Sequence, residues 1–146
     1  MTLDKSVYDN LINVVQFRDI ELLNLEMKRY VVDDHDRLTV DFHARVEDLI
    51  SEEDMLIVNL FFEVKAEDEK NNNDIFLIKF NYKATYNIPI EEDFEDQYLS
   101  HFAKINAPIN IWPYARELIS STTVRMGYPA LYVPLHKDDP IFEENN

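Results

Sequence analysis

The chain has 146 residues, a formal net charge of −15, no cysteine and one glycine. The missing cysteines exclude disulfides, a thiol nucleophile and a cysteine metal site, and a lone glycine cannot build a phosphate loop or a dinucleotide turn, which need close backbone approach at several positions. The acidic field repels phosphate backbones and argues against nucleic acid as a partner, while 46% apolar residues suffice for a real core.

Residues 7–31 carry mixed signals. Leu11, Val14, Val15, Arg18, Leu22 and Leu25 have partial helical spacing, whereas Leu23, Leu25, Met27, Arg29 and Val31 alternate. Periodicity alone leaves helix and strand open. A turn over residues 33–37 follows. Three clear alternating runs come next, the signature of half-buried strands. In the first, Leu38, Val40, Phe42, Ala44 and Val46 point one way. In the second, residues 55–66, every even position is apolar. In the third, residues 75–88, Phe76, Ile78, Phe80, Tyr82, Ala84, Tyr86 and Ile88 face inward, opposite Lys79, Asn81, Lys83, Thr85 and Asn87. The acidic, asparagine-rich residues 67–74 read as a solvated hairpin loop.

Residues 91–106 predict a helix with acidic residues crowding its start, where the dipole is positive. Its apolar stripe is Phe94, Tyr98, Leu99, Phe102 and Ile105. A second helix is expected over residues 108–126. Pro108 fits a first turn, and Pro113 either bends that helix or marks its true start. Gly127 suits a left-handed cap, and Pro129 blocks continuation. The fold class is thus α+β, a four-stranded antiparallel sheet followed by two helices packed on it. The expected organisation is one domain over residues 1–135 and a loosely held tail over residues 136–146.

Chemistry is hard to find. His35, His43, His101 and His136 are not paired at metal-ligand spacing, and Ser120 and Ser121 lie within a helix. Carboxylates occur in runs, which read as solvated faces. No catalytic residue, metal site or cofactor is expected. The first residues lack a basic start followed by an apolar run, and no apolar stretch approaches the roughly 18 residues of a membrane span. No membrane insertion is therefore expected, and the composition is compatible with a cytoplasmic location.

The informative residues are apolar ones in odd places. Met55, Ile57 and Phe61 sit on the second face of a strand whose first face is already apolar. A sheet covered by one helical layer should be polar on its other side unless another chain covers it. An oligomer interface, a binding groove, or cover by the chain's own first segment or tail would each account for them. Trp112 and Tyr114 flank Pro113. They either wedge the helix start against the sheet or form an aromatic wall for extended polypeptide.

The last third also carries a resemblance. Asn110-Ile111, then Pro113-Tyr114-Ala115-Arg116-Glu117, then a helix with Ser121 and Arg125, then Gly127, an aromatic and Pro129-Ala130-Leu131, resembles the C-terminal region of the SecB protein-export chaperones. Arg18-Asp19-Ile20 is a shorter echo. The resemblance favours strand for the first segment, with a bulge or break near Asp19.

It implies an ATP-independent chaperone that binds non-native polypeptide in apolar grooves, assembled as a dimer of dimers. Met55, Ile57, Phe61, Trp112 and Tyr114 would then bind polypeptide. Tyr98, Phe102, Arg116 and Glu117 would serve an oligomer interface. Asp19 matches the first acidic position through which the family contacts the SecA motor, but Leu23 stands at the second. The few residues after Phe142 leave little room for the family's C-terminal helix, so SecA binding stays open. A dedicated chaperone of one labile partner, such as an antitoxin, and a non-catalytic scaffold are the alternatives.

Overall fold

The computed structural model describes residues 2–30 and 37–134. Helix α1 spans Lys5–Val14 and is followed by β1 (Gln16–Arg29), β2 (Leu38–Glu52), β3 (Met55–Asp68), β4 (Asp74–Asn87) and α2 (Asp96–Arg125). The four strands form one antiparallel sheet in the order β1-β4-β3-β2. The expected α+β class with an antiparallel sheet and two helices is what the chain adopts, but one helix precedes the sheet and one follows it.

The central strands follow their alternation. Leu56, Val58, Leu60, Phe62, Val64 and Ala66 of β3 are fully buried, as are Ile78, Phe80 and Ala84 of β4. These side chains share the face on which α2 lies. Phe62 stacks on Phe80 with ring centroids 5.0 Å apart. The β3–β4 turn is held by the buried Asp68, whose carboxylate accepts from the Lys70 amide at 3.0 Å. Asn72 there adopts φ 57°, a conformation that asparagine tolerates better than most residues.

β1 is the strand that periodicity could not resolve, and its register explains why. Shifts between Phe17 and Asp19 and between Leu22 and Asn24 leave Arg18 and Leu23 as extra residues. Each bulge flips the side-chain alternation. The inner face therefore reads Phe17, Ile20, Leu22, Leu25, Met27 and Arg29, opposite Tyr86, Ala84, Tyr82, Phe80, Ile78 and Phe76. The first shift lies where the bulge near Asp19 was expected.

The helical spacing around Leu11 and Val14 belongs to a separate helix. Asp4 caps α1 by accepting from the Ser6 amide at 2.9 Å. Leu11 is fully buried, and Tyr8 meets His101 edge-on at 4.8 Å. The Tyr8 hydroxyl donates to Asn106.

The two helices expected after the sheet are a single 30-residue helix that contains both Pro108 and Pro113. Each proline removes one backbone bond and crowds the preceding turn. Burial of Ala103, Ala107, Ile111, Ala115 and Ile119 against the sheet keeps the axis continuous. Gly127 ends α2 at φ +92°. Its amide donates to the Val124 carbonyl at 2.9 Å, and the Tyr128 amide donates to the Thr123 carbonyl at 3.0 Å. This is the Schellman form of the left-handed cap expected at that glycine. The expected turn over residues 33–37 falls mostly outside the described residues, and the tail over residues 136–146 falls wholly outside them.

Candidate polypeptide-binding site

The site begins with a mismatch between β1 and its neighbour. Phe80 and Ile78 of β4 are fully buried, yet Leu25 and Met27, their partners on the same face, are 41% and 46% exposed. Leu22, beside Tyr82, is 43% exposed. The cause is coverage: α2 packs across β2, β3 and β4 and leaves the edge strand β1 largely open.

The flank of α2 that faces this strip is set by helical spacing. Tyr114, Leu118, Ser121 and Arg125 recur at one-turn intervals beside the buried stripe. Tyr114 is exposed, its carbonyl accepts from the Tyr82 hydroxyl at 3.4 Å, and the two rings lie 6.5 Å apart. Tyr82 thus forms a floor between a helical wall and a strand shelf. Burial raises the Tyr82 phenol pKa, with a smaller contribution from the nearby Glu117 charge. At one end, Phe17 meets Tyr86 at 5.2 Å, and the Tyr86 hydroxyl donates to Asn110 at 2.9 Å. At the other end the Arg29 Nε donates to the Tyr128 hydroxyl at 3.3 Å. The result is an apolar, aromatic-walled groove on the surface of an acidic chain. Its lining is suited to non-covalent contact with apolar side chains.

The SecB family, described as preprotein translocase subunit SecB, matches residues 10–143. The chain belongs to the SecB family. Among curated SecB proteins, that of Dichelobacter nodosus is 26% identical over 65% of this chain and 59% of its own length. That of Histophilus somni is 30% identical over 72% of this chain and 60% of its own. The chain thus spans about three fifths of those relatives. A SecB-like chaperone of Mycobacterium tuberculosis, solved in complex with a ChAD peptide from the HigA1 antitoxin, superposes with a TM-score of 0.78 at 19% identity. The match covers 90% of this chain and 97% of that one and shows a shared fold.

The residues that the sequence singled out for polypeptide binding lie on opposite sides of the sheet. Tyr114 lines the groove. Trp112 lies two residues away but is turned under the helix, 8% exposed, with its ring edge-on to Phe42 at 5.2 Å. It is a mid-helix core residue, not a groove wall at a helix start. Met55, Ile57 and Phe61 sit on the outer face, away from both helices, with Ile50 and Thr85 beside Ile57. Arg45 lies over the Phe61 ring at 4.2 Å.

Tyr98 and Phe102, expected at an oligomer interface, are interior. Tyr98 accepts from the Asp4 amide at 3.0 Å, and Phe102 packs edge-on against Tyr86 at 5.0 Å. Their side chains are used within the chain's own core, under α1. Arg116 and Glu117 are exposed on α2, with Arg116 over the Tyr132 ring at 5.3 Å. Asp19 is exposed on β1 beside Thr85, and Leu23 is the exposed bulge residue.

Sequence reasoning missed Leu22, Leu25 and Met27 as a surface. Their types were visible, but their common face depends on the bulge at Leu23. No helix among the described residues is long and apolar enough to cross a membrane.

Proposed function

We propose that this protein is an ATP-independent, non-catalytic chaperone, linked to protein export, that holds non-native polypeptide segments along the groove between α2 and β1. The observation that carries this reading is the exposure of Leu22, Leu25 and Met27, at 41–46%, on the same face as a fully buried core. An apolar strip of that kind on an ordinary monomer invites association. Here it is long, adaptable and edged by tyrosine. Methionine, leucine and tyrosine accept varied side chains without a fixed sequence. Each client side chain buried there contributes about 25 cal/mol per Å² before ordering costs, so holding is the sum of many small contacts. The net charge of −15 keeps such a surface soluble.

The reading includes a cytoplasmic homotetramer, built as a dimer of dimers. The open edges of β1 and β2, the outer patch of Met55, Ile57 and Phe61, and the exposed Arg116 and Glu117 are the surfaces available for it. A contact with SecA would use Asp19. The one-partner reading, a dedicated chaperone of a labile protein, draws on the superposition with the M. tuberculosis chaperone, whose peptide comes from an antitoxin.

Refolding of several slow-folding proteins, followed with and without the chaperone and without nucleotide, tests the reading. Near-stoichiometric arrest of unrelated clients is expected, together with a native mass of four chains. Leu25→Asp should weaken the arrest by placing an unpaired charge in the strip. Failure to arrest any of them by a folded, oligomeric protein would overturn the general reading in favour of one dedicated partner.

A further inference from the structure

The two walls of the groove change character at the same end. Along β1 the inner face runs Leu22, Leu25, Met27 and then Arg29. Along α2 the stripe that begins with Tyr114, beside Tyr82, continues at helical spacing through Leu118 and Ser121 to Arg125. The two arginines lie at the same end. A Cβ built on Gly127, two residues beyond Arg125, would stand 4.0 Å from the Arg29 guanidinium. At the opposite end, Leu22 and Tyr114 are joined through Tyr82.

Both arginines are exposed, and among the described residues neither lies within ion-pair distance of a carboxylate. This is notable in a chain with 29 acidic and 14 basic residues. The Arg29 guanidinium is held at the Tyr128 ring, 5.3 Å from its centroid, with Nε directed at the phenol oxygen. That arrangement orients the guanidinium, and among the described residues its other N–H groups meet no acceptor. Arg125 in the last turn also complements the helix dipole, but the Thr122, Thr123 and Val124 carbonyls are already met by the Met126, Gly127 and Tyr128 amides.

We infer that the groove reads direction and register in its clients, taking an extended apolar stretch that ends in an acidic side chain, with that carboxylate bound by Arg29 and Arg125. The inference rests on the groove being the client site. The length fits, since β1 from Leu22 to Arg29 spans about 20 Å once one bulge is allowed for. An extended client would therefore place its aspartate or glutamate about six residues from the residue seated at Tyr82 and Tyr114. Overall repulsion between an acidic client and this acidic chain is screened beyond about 8 Å at physiological salt, whereas a contact pair keeps most of its attraction. Guanidinium–carboxylate geometry makes arginine well suited to the task.

The test is equilibrium binding of amidated nonapeptides carrying a neutral dye. One has an apolar stretch followed by aspartate, one has asparagine there, and one has aspartate at the opposite end. A fourth is the asparagine peptide with a free C-terminal carboxylate. The first peptide should bind about fivefold more tightly than its asparagine counterpart, and 0.5 M salt should erase the difference. In an Arg29→Gln/Arg125→Gln variant, shown to be folded by circular dichroism, the preference should vanish while the asparagine peptide binds as before. Arg29→Lys with Arg125→Lys should restore part of it. Equal binding of the aspartate and asparagine peptides would overturn the inference and leave the groove reading intact. So would a gain that is the same from either end, or one found only with the free C-terminal carboxylate. Failure of all four peptides to bind would overturn both.

Discussion

At the residue scale, Gly127 shows how one position can be decided by backbone alone. Its φ of +92° is costly for any residue with a Cβ, yet a Cβ there would meet only the Arg29 side chain at 4.0 Å. The cost of Gly127→Ala is therefore conformational, about 1 kcal/mol. A urea titration should show that loss as a lower midpoint with an unchanged slope, and an unchanged midpoint would remove the cap from the account.

Tyrosines give the chain an alkaline limit. Burial pushes the Tyr8 phenol up to about 12 and raises Tyr86 further still. The folded chain keeps these protons while the unfolded chain releases them near pH 10. Stability is thus unaffected at neutral pH and falls as pH rises from about 10 towards about 12. Tyr8→Phe, though weaker at pH 7 through loss of the Asn106 contact, should show a shallower decline across that window. An identical decline would place the transition elsewhere.

At the element scale, legibility followed regularity. β3 and β4 could be read residue by residue because a central strand of a one-side-covered sheet alternates without interruption. β1 could not, because Arg18 and Leu23 each shift its phase. Those shifts gather Leu22, Leu25 and Met27 onto one face, so the feature that hid the strand also made the candidate site. α1 was masked because its spacing runs through Val15 directly into β1. α2 was read as two helices because proline is a strong local signal, and the tertiary burial that overrides it is not local. Pro113 is exposed. Pro113→Ala restores a backbone bond to the Ile109 carbonyl and should stabilise the fold by about 1 kcal/mol or more. Destabilisation instead would mean that the proline is needed to seat Trp112 on Phe42.

At the scale of the whole molecule, one helical layer lies on one side of a sheet whose edge strand outruns it. Helix α2 is centred over β3, so β1 is left as an apolar shelf, and the opposite face of the sheet keeps Met55, Ile57 and Phe61 at its surface. The motif around residues 110–131 made the family legible from sequence, but it did not locate the groove. Which face of the sheet an aromatic occupies depends on register and helix rotation, and Trp112 and Tyr114, two residues apart, fall on opposite sides of that division. Two apolar surfaces are thus available, and we propose the one beside α2 for clients and the outer face for assembly.

The most direct test places a photo-crosslinking side chain at Leu25, Tyr114 or Ile57 and irradiates each protein with a labelled unfolded client. The account predicts client crosslinks from Leu25 and Tyr114 and none from Ile57. Crosslinks from Ile57, with Leu25 and Tyr114 silent, would move the client to the outer face and contradict it.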